Sequence, residues 1–291
     1  MKSNNLIKLS IIVPHYNSPD LLANLLNTIP NDPQIEVIVV DDHSTIKLEE
    51  LSRCKQKFGD RNIFFYENDL DKKGAGTARN KGIRYSIGEY LLFADADDWF
   101  VCDFWNSVQE SMTDGAELIY YAPCSQNTNG EPSERHVHYA ELVNNYLLDP
   151  SHQHELKLRY LYWSPCSKLI KRSVVVKHHI CYDEGRCAED LIFSVKVGHY
   201  AKEIKASEKI IYCILDHEGS LTTHNDEAHN WARQKALFRY YFFMRRKMKW
   251  HDFKLLGYNL NTDYMQIKSI ISVFLREHRS GIIRKHNRGG F

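Results

Sequence analysis

Apolar residues along the chain gather in short runs divided by polar turns, and the runs alternate with helical periodicity. Residues 9–14 form a β-branched run stopped by Pro14, which predicts a buried strand. Turn chemistry follows over 15–20, with Asn17 or Ser18 placed to cap a helix and Pro19 suited to its first turn. That helix, over 20–29, keeps Leu21, Leu22, Leu25, Leu26 and Ile29 on one face and stops at Pro30. A second apolar run over 35–40 ends in Asp41-Asp42-His43-Ser44. A helix over 47–58, a strand over 62–66, a polar loop over 67–73 and a buried strand running from Tyr90 up to the carboxylates at 95 complete the first hundred residues. Strand, helix and strand at this spacing predict right-handed crossovers and an α/β fold with a mostly parallel sheet.

In such sheets ligands bind beyond the carboxyl ends of the strands. Both acidic groups of the first hundred residues, Asp41-Asp42 and Asp95, Asp97 and Asp98, stand there. Three carboxylates within four residues repel one another and are costly to desolvate, so a cation is expected among them. Oxygen ligands suit Mg²⁺ or Mn²⁺, which keep positions open for phosphates. An acidic turn closing a strand in water is the plainer reading.

Gly74-Ala75-Gly76 lacks the third glycine of a dinucleotide fingerprint. It fits better a small-residue helix start, where backbone approaches a phosphate beside Arg79 and Lys81, or a helix packed closely on the sheet.

Composition narrows the class. The 291 residues with 43% hydrophobic content support a full core, and Lys+Arg 38 against Asp+Glu 37 leaves no overall field directed at nucleic acid. Seven cysteines, an odd number without a Cys-x-x-Cys pair, fit a reducing compartment. His178, His179, Cys181 and Cys187 match no common zinc spacing and read as buried thiols and surface imidazoles. The first ten residues are polar and no run reaches membrane-span length, so a cytoplasmic protein is expected.

Ile-Ile-Val-Pro-His-Tyr-Asn, Val-Ile-Val-Val-Asp-Asp-His-Ser, Gly-Thr-Ala-Arg-Asn-Lys-Gly and Ala-Asp-Ala-Asp-Asp follow in order, and the pattern extends over residues 8–225. The chain thereby resembles the family 2 glycosyltransferases, inverting enzymes of the GT-A fold. The resemblance implies a GT-A catalytic domain over 1–225, with a nucleotide-sugar half near 8–100 and an acceptor half over 101–225. It implies a nucleotide-sugar donor, most often a UDP-sugar, and a glycan or lipid-linked acceptor of bacterial polysaccharide synthesis. Pro14 and Tyr16 match the loop against the base, Asp42 the carboxylate facing uracil with Asp41 its neighbour, and Arg79 the donor side. Asp95 and Asp97 match the Asp-x-Asp motif; Asp98 leaves open which carboxylate ligates the metal. Trp163 and Lys168 match an acceptor-side strand and loop, and Glu189-Asp190 the block that supplies the base, Asp190, with Glu189 on the acceptor side. Such a base is required, since a sugar hydroxyl attacks only as its proton is accepted; a helix N-terminal acid held by the dipole is the bland alternative. His217 matches a segment that closes over the diphosphate, as a phosphate or metal contact. A nucleotidyltransferase of the same broad fold and a silent glycan- or membrane-binding module are the rival classes.

From Trp231 to Phe291 the character changes, with 14 Lys+Arg against 3 acids interleaved with aromatics. Over 226–291 a basic helical extension is expected. It suits either a helix on an anionic membrane surface at the inner face of the cell membrane, or a packing arm with its basic face in water. The run 280–291 is expected to fray.

Overall fold

The computed structural model describes residues 6–69, 72–113, 115–184, 188–217, 227–258 and 268. Its centre is a seven-stranded sheet in the order β3-β2-β1-β4-β8-β6-β9. The strands are β1 (Leu9–His15), β2 (Ile35–Asp41), β3 (Ile63–Glu67), β4 (Tyr90–Phe93), β6 (Leu118–Tyr121), β8 (Lys168–Lys171) and β9 (Ile204–Ser207). β1 to β4 run parallel, as their crossovers predict; β8 runs antiparallel to both β4 and β6, and β9 rejoins β6 in parallel. A second sheet has three strands, β5 (Trp99–Phe100), β7 (Cys124–Asn127) and β10 (Tyr212–Asp216), with β10 in the middle.

Period-two alternation assigns the faces. Leu9, Ile11, Val13, Val37 and Val39 enter a core with α1 (Pro19–Thr28), α2 (Leu48–Lys57) and α4 (Phe104–Met112). Ile12 points to the opposite core, which α5 (Val137–Leu148), α6 (His152–Leu161), α7 (Arg172–Lys177) and α8 (Asp190–Tyr200) cover, while Ile38 and Val40 meet Ala78 of α3 (Ala75–Tyr85). The expected halves therefore share one continuous sheet, because β6, β8 and β9 complete the same ladder that β1 to β4 begin.

Ser18 is the residue before α1 and Pro19 opens the helix, but Ser18 makes no side-chain cap bond. Its hydroxyl donates to the Tyr16 carbonyl instead. Asn17, at φ 54°, accepts the Thr45 and Ile46 amides and so ties the loop after β1 to the loop after β2.

The described part of the C-terminal extension packs on the domain. Tyr240, Tyr241 and Met244 of α9 (Glu227–Lys247) and Phe253 of α10 (Trp250–Leu255) join Leu156 and Tyr160 of α6 and Leu191 and Val195 of α8 in one apolar cluster. Among the described residues no helix is long and apolar enough to cross a membrane. The remaining basic stretch, with the expected fraying over 280–291, lies outside the described residues.

α8 is held against α6 by the Arg159 guanidinium, which donates to the carbonyls of Gly198 (2.7 Å) and Ala201 (2.6 Å) at the end of α8. A Cβ at Gly198 would collide with the Arg159 carbonyl, which is backbone and cannot swing aside. Gly198→Ala is expected to destabilise the fold by about 1–3 kcal/mol despite alanine's better helix propensity. A urea midpoint equal to or above that of the parent would contradict this packing.

Candidate active site

The carboxyl edge of the central sheet collects the site. β1 and β2 end in register, His15 beside Asp41, and β4 ends at Phe93 with the acidic turn following. His15 is buried, accepts the Ser18 amide at Nε2 (3.3 Å) and therefore donates from Nδ1 to Asp41 (2.7 Å). Burial raises the Asp41 pKa, but hydrogen bonds from His15 and Ser44 outweigh it and hold the carboxylate below its usual range. Asp42 is equally committed, accepting the Asn68 amide (2.7 Å) and the Gly74 backbone N–H (2.7 Å). It thus fastens the start of α3 to the end of β2. Tyr16 stands in front, 54% exposed, and Pro14 is half-buried beneath it.

Arg79 of α3 organises the middle of the site. Its buried guanidinium donates to Asp95 (2.6 Å) and to Glu189 (2.9 Å), and its plane lies over the Tyr182 ring at 5.3 Å. Burial works against its charge; Asp95 and Glu189 prevail and push its pKa well above the ordinary value. Glycine is needed at position 76 for this bridge, since a Cβ there would meet the Asp183 carbonyl and the Glu189 side chain. The close approach that Gly-x-Gly makes is thus to the chain's own 183–189 segment. Lys81 is also internal, its Nζ held by the Glu67 carbonyl (2.6 Å) and by Asp69 (2.7 Å).

The three carboxylates after β4 differ. Asp98 is buried, accepting the Tyr212 hydroxyl (2.7 Å) and the Leu215 amide (2.8 Å), so it anchors β10. Burial first, then Asp95 and Asp97, raise its pKa well above the ordinary value. The Tyr212 hydroxyl in turn accepts the Asp95 amide (2.8 Å) and fixes the turn. Asp95 and Asp97 remain open to solvent, 39% and 35% exposed at the side chain, and Asp97 meets His217 Nε2 at 3.0 Å. The rest of the His217 segment, from 218 on, lies outside the described residues.

Asp95, Asp98 and Cys166 bring one ligand atom each within 4.8 Å of one another. Cys166 is buried, and that burial drives its thiol pKa well up. A neutral thiol and a carboxylate committed to Tyr212 and Leu215 do not suit Mg²⁺ or Mn²⁺. The accessible oxygens of Asp95 and Asp97 with the His217 imidazole fit them better.

Asp190 opens α8 and neighbours Glu189, Arg79 and Asp95 electrostatically. Its pKa is pushed up to about 7 by burial, then by Glu189, with Arg79 opposing. One acceptor-side expectation, Lys168, is displaced. Lys168 is buried beneath the site; its Nζ donates to the Tyr162 carbonyl (3.0 Å) and lies over the Tyr162 ring, because an unpaired ammonium needs those partners in the core. Burial lowers its pKa to about 7 although Asp190 partly offsets this. Trp163 is half-buried, edge-on to Tyr240 of α9 at 5.8 Å, with its indole N–H donating to the Tyr160 carbonyl. Sequence patterns did not single out Tyr212, Tyr182 or Cys166, whose proximity to the acids arises only from long-range pairing.

A family model described as "Glycosyl transferase family 2" matches residues 10–178. The chain belongs to that family. A poly(ribitol-phosphate) beta-glucosyltransferase of Bacillus spizizenii is 34% identical over 72% of this chain, though this covers 32% of the relative. The poly(ribitol-phosphate) beta-N-acetylglucosaminyltransferase TarS of Staphylococcus aureus is 26% identical over 74% of the chain and 36% of its own length. The chain thus spans about a third of these two curated relatives. The crystal structure of S. aureus TarS 1-349 in complex with UDP-GlcNAc superposes with TM-score 0.69 at 22% identity, covering 86% of this chain and 70% of the other. A mannosyltransferase from Pyrobaculum calidifontis in complex with GDP-Man and Mn²⁺ superposes with TM-score 0.57 at 16% identity, covering 98% and 76%. These superpositions establish the GT-A type of fold for the family 2 domain described above.

Proposed function

We propose that this family 2 domain moves a sugar from a UDP-sugar to a hydroxyl of a polyol-phosphate, glycan or lipid-linked acceptor, with inversion. One observation carries the reading: Arg79 ties the open carboxylate Asp95 to Glu189, the neighbour of Asp190. Donor-side charge and the base thereby share one rigid bridge. Asp190, with its pKa at about 7, is poised to accept a proton near neutral pH. The hydroxyl it deprotonates attacks the anomeric carbon opposite the diphosphate, so an α-linked donor yields a β-glycoside. Tyr16 packs against the base, with Pro14, Asp41 and Asp42 shaping that pocket. Arg79 holds Asp95 in place. Glu189 orients Asp190, the buried Lys168 acts on it electrostatically, and Trp163 lies on the acceptor side. Asp95, Asp97 and His217 are the residues that would hold a divalent ion, which neutralises charge on the leaving diphosphate when bound. The catalytic domain extends over 1–225, and the 226–291 extension keeps the enzyme at the inner face of the membrane when its acceptor is lipid-linked.

Asp97→Ala is expected to weaken UDP binding in the presence of Mn²⁺ by at least about tenfold, ~1.4 kcal/mol. Binding without metal should be unchanged. Calorimetry with UDP, with and without Mn²⁺, reads this directly; equal affinities of variant and parent in Mn²⁺ would remove Asp97 from the metal site. Incubation with a UDP-sugar and acceptor should release UDP. Release of pyrophosphate would indicate a nucleotidyltransferase, and no turnover with any nucleotide sugar a silent module.

A further inference from the structure

A cavity of about 630 Å³ opens between α3, the segment 180–184 and α9, outside the cluster just described. Four cations line it, Lys72, Arg84, Lys235 and Arg239, against two carboxylates, Asp183 and Glu184. Both carboxylates are already engaged, Arg239 with Asp183 at 2.6 Å and Lys72 with Glu184 at 2.7 Å. Arg84 and Lys235, both exposed, make no ion pair among the described residues. The lining therefore has a surplus of two positive charges, and a concave wall concentrates their field. The accessible apolar wall is made by Trp231, Ile83 and Ala232, all half-buried, with the buried Tyr182, Ile180 and Ala236 behind it. An indole face is the kind of surface that receives the carbon backbone of a polyol or sugar.

The cavity is joined to the catalytic cluster by rigid contacts. Asn80, on its wall, follows Arg79 and exchanges two hydrogen bonds with the Tyr182 backbone, at 3.0 and 2.8 Å. The Asp183 amide donates to the Glu189 carbonyl at 3.2 Å. The cationic cavity is thus tied to the residues that position Glu189, the neighbour of Asp190.

We infer that this cavity binds a phosphodiester of the acceptor chain, Arg84 and Lys235 receiving its anionic oxygens while Trp231 flanks the adjoining polyol. This rests on the transferase reading and specifies its acceptor as an anionic, phosphate-linked polymer. Guanidinium and ammonium groups recognise phosphate by charge-assisted hydrogen bonds, and neutral glycans would leave the two cations unused.

The test uses the full chain, a synthetic ribitol-phosphate hexamer as probe and a neutral hexasaccharide as control. Direct titration by calorimetry in low salt, without donor, should show binding of the hexamer and none of the control. Arg84→Glu with Lys235→Glu, two exposed helix positions, should weaken the hexamer about tenfold or more. In turnover the same variant should raise the KM for the hexamer while UDP-sugar hydrolysis and donor KM stay within about twofold of the parent; tenfold corresponds to ~1.4 kcal/mol. Parent chain that fails to bind the hexamer, or a variant that binds it unchanged, overturns the inference. Salt-sensitive hexamer binding lost in the variant, in a chain that turns over no nucleotide sugar, supports the cavity while removing the transferase reading.

Discussion

Asp190→Asn is expected to lower transfer by about 10²–10⁴-fold while leaving UDP-sugar affinity within about twofold, because an amide cannot accept the acceptor proton. The environment also sets the pH dependence. The carboxyl is pushed up to about 7, first by burial and then by Glu189, with Asp95 adding and Arg79 opposing. Its basic form is therefore populated above about pH 7, so kcat/KM for the parent should rise with pH and level off beyond that point. The residual activity of Asp190→Asn should lack this rise. Stability gives a second, independent sign. A carboxyl whose folded pKa exceeds its unfolded value of about 4 favours the fold only while protonated. The penalty then develops between about pH 4 and about 7 and is complete above. The asparagine variant should consequently melt above the parent at pH 8 and level with it near pH 4. A variant that keeps near-parental turnover, or whose melting advantage is the same at both pH values, would show that Asp190 is not the base described.

β1, β2 and β4 were legible because each is a nearly continuous apolar run closed by turn residues and buried on both faces. The edge strand β3 was legible by its aromatic Ile-Phe-Phe-Tyr run, although Phe64 is exposed. Glu36 interrupts β2 without breaking it, since the Ser10 hydroxyl and the Ile87 and Gly88 amides satisfy its carboxylate. The second sheet left no such trace. β5 has two residues, and β7 reads Cys-Ser-Gln-Asn, a polar string that becomes a strand only by pairing with β10. Site residues divide in the same way. The acids at strand ends were visible as local clusters. Which of them stays open was not, because Asp98 is claimed by Tyr212 and Leu215 more than a hundred residues later in the chain. Lys168 departs from its expected acceptor-side place for a related reason: two tyrosine rings and a carbonyl accommodate its charge in the core. Long-range partners decide the use of a polar side chain, and no short window of sequence contains them.

Arg79→Met should cost both stability and activity, and to a larger extent than any single ligand substitution. Methionine fills most of the guanidinium's volume over Tyr182, so the packing loss is small. What is lost is the charge between Asp95 and Glu189, the latter only 13% exposed. Removing one partner of a buried ionic bridge leaves the others uncompensated, typically at about 3–5 kcal/mol. Turnover should fall by about 10² or more as well, since a displacement of about 1 Å in the groups that position substrate is enough for that. Arg79→Lys should recover little of either, because one ammonium cannot span two carboxylates that the planar fork holds at 2.6 and 2.9 Å. Urea melts of Arg79→Met, Glu189→Gln and the double variant close a thermodynamic cycle. If the bridge is as described, Glu189→Gln is less harmful in the methionine background than alone, because there the Glu189 charge has already lost its partner. Additive losses, with Arg79→Met turning over at the parental rate, would mean that the guanidinium merely packs and that Asp95 and Asp190 are positioned independently of each other.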